Sequence, residues 1–332
     1  MIVVSQTIRE RTEKEEYLRL SPLAAKSAEA IRAKEEEECS IRTSFQRDRD
    51  RILHSKPFRR LKHKTQVYIA PTGDHFRTRM THSLEVAQIC RTIGRGLMLN
   101  EDLIEAIALG HDVGHTPFGH VGEEALTSII GHFEHNEQSV RVLTVLTGDG
   151  QGINLTEEVL DGILHHTGEG IPRTLEGQVV KIGDRIAYLC HDYDDALRAG
   201  LLKPDDLPPK VKKVMGTSTS KMITSMVTNM INSSENRDSI SLTGEVAETM
   251  NELRRFMFER VYLCNSLKEE RNKGKLILEI LFDYYVHHPE VLPPEYLQWA
   301  GGDLLRSIAD YIAGLTDNYA IGTFKHFFIP RE

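Results

Sequence analysis

Long apolar runs are absent from this 332-residue chain. No stretch reaches the roughly 18 consecutive apolar residues that a transmembrane helix needs. The chain starts with only four apolar residues before mixed charge follows, which is too short for the apolar region of a signal peptide. We therefore expect a protein of the cytoplasm that has no membrane partner.

Cysteine is scarce, and strand-like alternation is weak. The four cysteines show no paired spacing, which argues against a disulfide framework and against a thiolate zinc site; they are Cys39, Cys90, Cys190 and Cys264. No repeat at a fixed period is present, so repeat arrays are not expected. What remains is a globular chain, 40% apolar and 27% charged, long enough for one large domain or two lobes.

Positive charge is in deficit, since 41 lysines and arginines face 49 acidic residues, for a net charge of -8. The surface as a whole would repel a polyanion, so charge does not support nucleic-acid binding. Eleven basic residues nevertheless lie between Arg42 and Arg79. A local basic wall in an acidic protein suits a small polyphosphate ligand, although a solvated charged face explains the pattern equally well.

Helical periodicity dominates the rest of the chain and predicts an almost all-α fold. The predicted helices cover residues 83–99, 101–111, 122–130, 136–146, 156–166, 175–200, 219–232, 244–272, 275–287 and 303–314. Thr81 and Asn100 are the predicted N-caps of the first two helices. The Pro and Gly content of residues 71–79 predicts a loop or a short hairpin.

Four regions follow from the changes in composition along the chain. They are an N-terminal, partly mobile segment at 1–55, a core at 56–202, a connector at 203–218, and a C-terminal helical region at 219–332 that packs on the core. Most of the histidines belong to the core.

Residues 111–120 read HDVGHTPFGH and concentrate titratable groups. His111 and Asp112 stand at the end of a predicted helix, and imidazole nitrogen with carboxylate oxygen is half of a site for a divalent ion. Two more ligands must come from elsewhere, and His82 and Asp184 on other predicted helices are candidates. Each of these two residues alone is weak evidence for a metal site, because a charged residue on a helix is usually solvated.

The order H…HD…D on helices resembles the HD superfamily of metal-dependent phosphohydrolases. More narrowly, RDRDRILHSKPFRRLKHKTQV, RMTHSLEVAQI, GHDVGHTPFGHVGEEAL, FEHNEQS and DRIAYLCHDYDD resemble, in this order, the deoxyguanosine triphosphate triphosphohydrolase (dGTPase-like) family. DYIAGLTDNYA at 310–320 resembles the C-terminal segment of that family. The resemblance implies an all-α, HD-domain helical fold with additional C-terminal helices.

The resemblance also implies a metal site. His82, His111, Asp112 and Asp184 would together ligate one divalent ion. An ion held by two neutral imidazoles and two carboxylates keeps the Lewis acidity that phosphoryl chemistry uses. Manganese, magnesium, nickel, cobalt and iron all tolerate these ligands, and the two imidazoles favour a transition metal over magnesium.

A proton-transfer group follows in the same motif. His120 and Glu123 resemble the catalytic histidine and its acidic partner, and a spacing of three puts both side chains on one helix face. By the same resemblance His115 would contact phosphate and His135 would support the catalytic pair. A capping or supporting role is the alternative for both of these histidines.

Substrate contacts are implied at two further places. Asp184, Tyr188 and Asp192 share one face of a predicted helix, and the resemblance gives Tyr188 and Asp192 to the sugar. By the same resemblance, Arg185 occupies a position at which a basic residue contacts phosphate.

On the basic side, Arg79 resembles a phosphate-binding arginine, while Gln66 and Val67 match positions that read the 3′-hydroxyl and the 2′ side of the sugar. A core role for Val67 is nearly as good an interpretation. For His165 and His166 a structural role is favoured over a phosphate contact.

The implied reaction is hydrolysis of a deoxynucleoside triphosphate, with dGTP one candidate, to a deoxynucleoside and inorganic triphosphate. The family commonly forms homo-oligomers, often hexamers built from dimers, and a second nucleotide can act as an activator. Two alternatives stay open: another HD-type nucleotide phosphohydrolase or phosphodiesterase, and a nucleotide sensor without catalysis. Two departures from the family pattern are mild, HTPFGH for HPPFGH and GDRIAY where a second acid often follows the aspartate.

Overall fold

A computed structural model describes residues 6–67 and 75–330, apart from the side chains of residues 265 and 266. Within these residues the chain is all-α, as predicted, with 67% helix and two isolated bridges in place of any β-strand. No helix in this part of the chain combines the length and the apolar character that crossing a membrane requires. The predicted loop at 71–79 lies partly outside the described residues.

Sixteen α-helices follow one another along the described chain. They are α1 (Ile8–Arg19), α2 (Ser44–Leu53), α3 (Lys56–Arg60), α4 (Arg79–Gly96), α5 (Glu101–Gly110), α6 (His120–Ile130), α7 (His135–Arg141), α8 (Glu157–Leu164), α9 (Leu175–Arg198), α10 (Pro209–Met215), α11 (Thr219–Ser234), α12 (Gly244–Met257), α13 (Asn265–His287), α14 (Pro294–Trp299), α15 (Leu304–Ala313) and α16 (Asp317–Phe328). Short π-helical segments follow α7 and α12, at Val142–Leu146 and Phe258–Tyr262.

Capping residues set the starts of the two helices that lead into the candidate site. Asn100 caps α5, because its side-chain oxygen accepts from the amides of Asp102 and Leu103 at 3.2 and 3.3 Å. The prediction of Thr81 as the cap of α4 is wrong by one turn. Thr78 is the cap, and Thr78 and Thr81 accept hydrogen bonds from each other's backbone amide. His82 therefore belongs to the first turns of α4.

Two apolar clusters hold the helices together. The first is built around α4, α5 and α9, with fully buried residues such as Val86, Ile104 and Ile186. The second joins α6 to α13, α15 and α16 through residues such as Leu126 and Phe282. Burial of apolar surface is the dominant favourable term in folding, so these two clusters fix the frame on which the site is carried.

Several predicted elements differ from the structure. The predicted helix 244–272 is interrupted, since α12 ends at Met257 and α13 begins at Asn265 and continues without a break to His287. The predicted connector 203–218 contains α10, and the N-terminal segment predicted as partly mobile contains α1. Helices α14 and α16 were not predicted. The region boundaries at 55, 202 and 218 stay predictions.

Candidate active site

The loop between α5 and α6 brings its histidines back toward the first apolar cluster. Phe118 and Gly119 both have left-handed backbone angles, with φ of 60° and 63°, and Gly119 combines this φ with a ψ of −135°. Only glycine adopts that combination readily, so Gly119 is required for this turn. The Thr116 hydroxyl donates to the Gly119 carbonyl at 2.7 Å and closes the turn. The rings of His115 and His120 consequently lie 5.0 Å apart.

The four predicted metal ligands converge from three elements. His82 comes from α4, His111 and Asp112 from the end of α5, and Asp184 from the middle of α9. His82 Nε2 lies 2.9 Å from Asp184 Oδ1. His111 Nε2 lies 3.6 Å from Asp112 Oδ1 and 3.8 Å from Asp184 Oδ1. Three helices thus deliver two imidazoles and two carboxylates to one point.

This donor set fits a divalent ion. The Nδ1 atom of His111 lies 2.7 Å from the Ala108 carbonyl, which can only accept, so Nδ1 carries the proton. The Nε2 atom of His111 then presents a lone pair, and it is buried without a hydrogen-bond partner among the described residues. A metal-ligating histidine ordinarily fixes its tautomer in this way. Imidazole with carboxylate suits first-row transition metals and tolerates harder ions.

Arg79, predicted to bind phosphate, pairs with one of these ligands. Its Nη1 atom donates to Asp112 Oδ2 at 2.7 Å, and both side chains are buried. The Nε atom of Arg79 has no partner in the described part of the chain. Burial opposes the charge on Asp112, but the electrostatic attraction of the neighbouring His111 and Arg79 side chains outweighs it and holds the pKa of this carboxyl well below its usual range.

A second group of side chains surrounds Glu123. His120 Nδ1 donates to Glu123 Oε2 at 2.9 Å, while His135 gives its backbone amide and its Nδ1 to Glu123 Oε1 at 2.7 and 2.9 Å. Burial would raise the pKa of Glu123, but the hydrogen bonds from the two histidines outweigh it and lower this pKa. The same carboxylate outweighs burial at His135 and raises the pKa of that imidazole. His120 itself is 68% exposed at its side chain and faces solvent.

His166, for which a structural role was favoured from the sequence, lies inside the site. Its ring centroid is 4.9 Å from that of His111 and 5.2 Å from that of His135, and the two Nε2 atoms of His166 and His135 are 3.3 Å apart. Burial and the neighbouring His111 lower the pKa of His166 to about 3. His165 instead turns outward to Asp161, at 3.1 Å. The paired HH after an apolar helix was the available signal, and it did not reveal which ring faces inward.

Stacked imidazoles join the two groups. The rings of His115 and His135 are stacked with centroids 4.3 Å apart, and His115 Nε2 is 4.0 Å from Asp112 Oδ1. Burial and the positive charge of Arg79 hold the pKa of His115 well below its usual range, so the ring is neutral. The predicted catalytic group and the predicted metal ligands therefore form one continuous cluster, from which His120 reaches solvent.

The predicted sugar contacts lie further along α9. Asp192 is buried and accepts a hydrogen bond from the Tyr262 hydroxyl at 2.5 Å, and burial raises the pKa of Asp192 to about 7. Tyr188 is half-buried, and the positive charges of Arg254 and Arg185 face its hydroxyl. Sequence reasoning missed Tyr262, because its segment carries no motif that stands apart from helical packing.

Gln66 and Val67 are half-buried, and the backbone of Gln66 lies next to the turn at Gly119. The Gln66 carbonyl lies 3.5 Å from the place where a Cβ on Gly119 would stand, and Gln66 Oε1 is buried without a partner in the described residues. No hydrogen bond joins Val67 or Arg185 to the histidine cluster within the described ranges. The structure thus brings Gln66 to the turn that precedes His120 and gives no such contact for Val67 or Arg185 among the described residues.

Known proteins resemble the chain at the levels of domain, full sequence and fold. Residues 79–189 match the HD domain, and residues 240–326 match the phosphohydrolase-associated domain. A deoxyguanosinetriphosphate triphosphohydrolase-like protein of Caldanaerobacter subterraneus is 55% identical over 97% of this chain and 96% of its own. The chain belongs to this dGTPase-like family.

A second relative agrees with this membership, and a solved structure agrees with the fold. A family protein of Clostridium tetani is 47% identical over 100% of this chain and 99% of its own. A crystal structure of a phosphohydrolase from Bacteroides thetaiotaomicron shares the fold at 18% identity, with a TM-score of 0.53 over 84% of this chain and 68% of that one. The dGTPase-like chain is therefore a hydrolase with an HD domain, and its histidine and aspartate cluster is suited to a metal ion.

Proposed function

We propose that the chain hydrolyses deoxynucleoside triphosphates at the α-phosphorus and releases a deoxynucleoside and inorganic triphosphate. The observation that carries the proposal is the His120–Glu123–His135 group beside the four metal ligands. The names of the full-length relatives support a guanine deoxynucleotide as one substrate.

The reaction forms a bond between the water oxygen and the α-phosphorus and breaks the bond to the 5′-oxygen. The 5′-oxygen leaves with the electron pair and needs a proton. His120 is placed to give it, because its Nδ1 is held by Glu123 and its ring is open to solvent. The Glu123 carboxylate stabilises the imidazolium form from which the proton departs. Positioned acid–base groups of this kind contribute about 10²- to 10⁴-fold.

Other residues would orient the substrate around this centre. A divalent ion held by His82, His111, Asp112 and Asp184 would supply positive charge to a phosphoryl oxygen of the substrate. His115, neutral and buried, offers a hydrogen bond to phosphate, and Arg79 and Arg185 offer charge. Tyr188, Asp192, Gln66 and Val67 would contact the sugar.

The test is incubation of metal-loaded protein with each dNTP, singly and mixed, followed by separation of the products by anion exchange. Deoxynucleoside with triphosphate, lost in His120→Ala, supports the proposal, and a requirement for the mixture reveals an activating nucleotide. Cleavage of another nucleotide class identifies a different HD-type phosphohydrolase. Nucleotide binding without cleavage identifies a sensor.

Location in the cytoplasm and assembly into a homo-oligomer, dimer-based and up to a hexamer, belong to the same proposal. The ion itself is proposed as manganese, magnesium, nickel, cobalt or iron. Sedimentation with and without dNTP, and metal analysis of the purified protein, check these points separately from the reaction.

A further inference from the structure

The segment 310–317, which reads DYIAGLTD, runs from the end of α15 to the first residue of α16 and touches every part of the chain that carries a predicted acid–base histidine. We propose that Asp310 and Asp317 are positioning residues that hold His120 and His135 in register for proton transfer. The inference rests on the proposed role of these histidines and adds a function for the C-terminal helices.

Asp317 holds the turn that leads to His120. Its Oδ1 atom accepts from the backbone amide of Phe118 at 3.0 Å, and its Oδ2 atom accepts from the backbone amide of Thr65 at 3.0 Å and from the Thr65 hydroxyl. Phe118 is a non-glycine residue with a left-handed φ of 60°, a conformation that persists only when its surroundings enforce it. The carboxylate of Asp317 is the group that satisfies this amide, two residues before His120.

Lys64 makes a parallel link to His115. Its side chain is buried, and its Nζ atom donates both to the His115 carbonyl and, at 2.8 Å, to the Ala313 carbonyl. One ammonium group thus ties the HDVGHTPFGH loop to the last residue of α15. Removal of either carbonyl from this position would leave a buried donor unpaired, which is costly.

Asp310 holds the helix that carries His135. Its carboxylate is buried and accepts from Gln138 Nε2 at 3.0 Å and from Arg141 through two nitrogens, the shorter contact being 2.6 Å. Gln138 and Arg141 lie one and two turns along α7 from His135, which is the first residue of that helix. An ion pair with two parallel hydrogen bonds fixes orientation as well as distance.

Two of the four predicted metal ligands are held by other parts of the structure. His82 and Asp184 project from α4 and α9, which pack on each other in the first apolar cluster. The segment 310–317 belongs to the second cluster, and within the described chain no hydrogen bond or ion pair joins it to His82 or Asp184. A change at Asp310 or Asp317 is therefore expected to move the acid–base group relative to His82 and Asp184, and a displacement of about 1 Å can cost about 10²-fold in rate.

The experiment compares Asp317→Asn and Asp310→Asn with Asp303→Ala in the manganese-loaded full chain. Asp303 caps α15 through the amide of Arg306 at 3.0 Å, so its loss weakens the start of the same helix without removing a hydrogen-bonding atom of Asp310 or Asp317. We expect kcat to fall about 10- to 100-fold in the first two variants, with KM and bound metal within twofold of wild type. Asp303→Ala should keep kcat within twofold.

A second measurement does not depend on activity. Hydrogen exchange followed by mass spectrometry should show faster exchange in peptides covering 114–120 in Asp317→Ala, because this substitution removes the oxygen that accepts from the Phe118 amide, with no change in α4. Wild type that cleaves no dNTP would overturn the proposed function and leave this measurement standing. Unchanged exchange, or a fall in kcat matched by loss of metal, would overturn the positioning role. Thr65→Ala is used if Asp317→Asn does not fold, because it removes the hydrogen bond from the Thr65 hydroxyl to Asp317. We expect a smaller loss of kcat in Thr65→Ala. Full activity of this variant would count against the inference.

Discussion

Glu123 uses both carboxylate oxygens for histidines, one for His120 and the other for His135. In Glu123→Gln, one oxygen is replaced by an amide NH₂ group that cannot accept from an imidazole N–H. The imidazolium of His120 also loses its counter-charge. We expect kcat to fall about 10²-fold while the metal content stays at the wild-type level. Steady-state kinetics with metal analysis measures both quantities.

Glu137 provides the matched control, because it pairs with His132 at 2.8 Å on an exposed surface outside the site. Glu137→Gln should leave kcat within twofold of wild type. Equal losses in the two variants would show that the effect at position 123 is general destabilisation rather than lost proton transfer.

Asp192 makes the unfolding free energy depend on pH, and the direction of its pKa shift sets the direction of this dependence. Burial raises its pKa to about 7 in the folded chain, against about 4 in the unfolded chain. The folded state therefore keeps the proton in this window while the unfolded state releases it, so stability falls as pH rises from about 4 to about 7. Relative to Asp192→Asn, wild type should lose about 4 kcal/mol of unfolding free energy across the window.

Urea denaturation of chelator-treated protein at several pH values measures this loss. The Tyr262 hydroxyl donates to Asp192 and opposes the rise in pKa, so Tyr262→Phe should move the transition to higher pH. If the unfolding free energies of wild type and Asp192→Asn change with pH in parallel, the pKa of Asp192 is not raised in the folded chain.

The side chains of the HD motifs were predictable because the residues that act together are close neighbours in the sequence. The sequence placed His111 beside Asp112 and His120 three residues before Glu123, and the structure brings each pair together. The place of His166 within the cluster was not predicted, because two neighbouring histidines at a helix end can face opposite ways. Which one faces inward depends on how α8 packs, and the order of residues does not encode this locally.

At the scale of elements, one lysine of α9 organises the loop after α8. Lys181 Nζ lies 2.8 to 3.2 Å from four carbonyl oxygens, those of His165, Thr167, Gly168 and Gly170. This loop includes His166. Lys181→Met should accelerate hydrogen exchange at 165–170 and lower the unfolding free energy by about 1–3 kcal/mol, since several carbonyls lose a charged donor.

Lys210→Met is the control for this element, because the ion pair of Lys210 in the described structure is with the exposed carboxylate of Glu248, at 2.7 Å. A surface pair of this kind is worth at most about 1 kcal/mol. Exchange at 165–170 that is the same in Lys181→Met as in wild type would show that the loop is held by other contacts.

Helices with an apolar face and a strong cap were predictable, and helices held mainly by their neighbours were not. Asn100 marked the start of α5, while the reciprocal pair Thr78 and Thr81 misplaced the start of α4 by one turn. Helix α1 is almost entirely polar and rests on a capping box and ion pairs such as Arg9 with Glu13. The break after α12 follows a π-helical segment that intrinsic periodicity does not encode.

At the scale of the molecule, the candidate metal site links α4, α5 and α9, so binding of an ion should stabilise the whole first cluster. An ion at 100 times its dissociation constant adds about 2.7 kcal/mol to the unfolding free energy. Chelation should therefore lower the melting temperature by several degrees, as calorimetry can measure. In His111→Ala the melting temperature should no longer respond to the metal. A wild type with the same melting temperature with and without metal would rule out the predicted site.

The most direct test of the account is the fate of the water oxygen during hydrolysis of dGTP in H₂¹⁸O, followed by mass spectrometry of both products. Attack at the α-phosphorus predicts one ¹⁸O atom in the released triphosphate and none in the deoxynucleoside. Label in the deoxynucleoside, or release of a deoxynucleoside monophosphate with pyrophosphate, would contradict the proposed reaction.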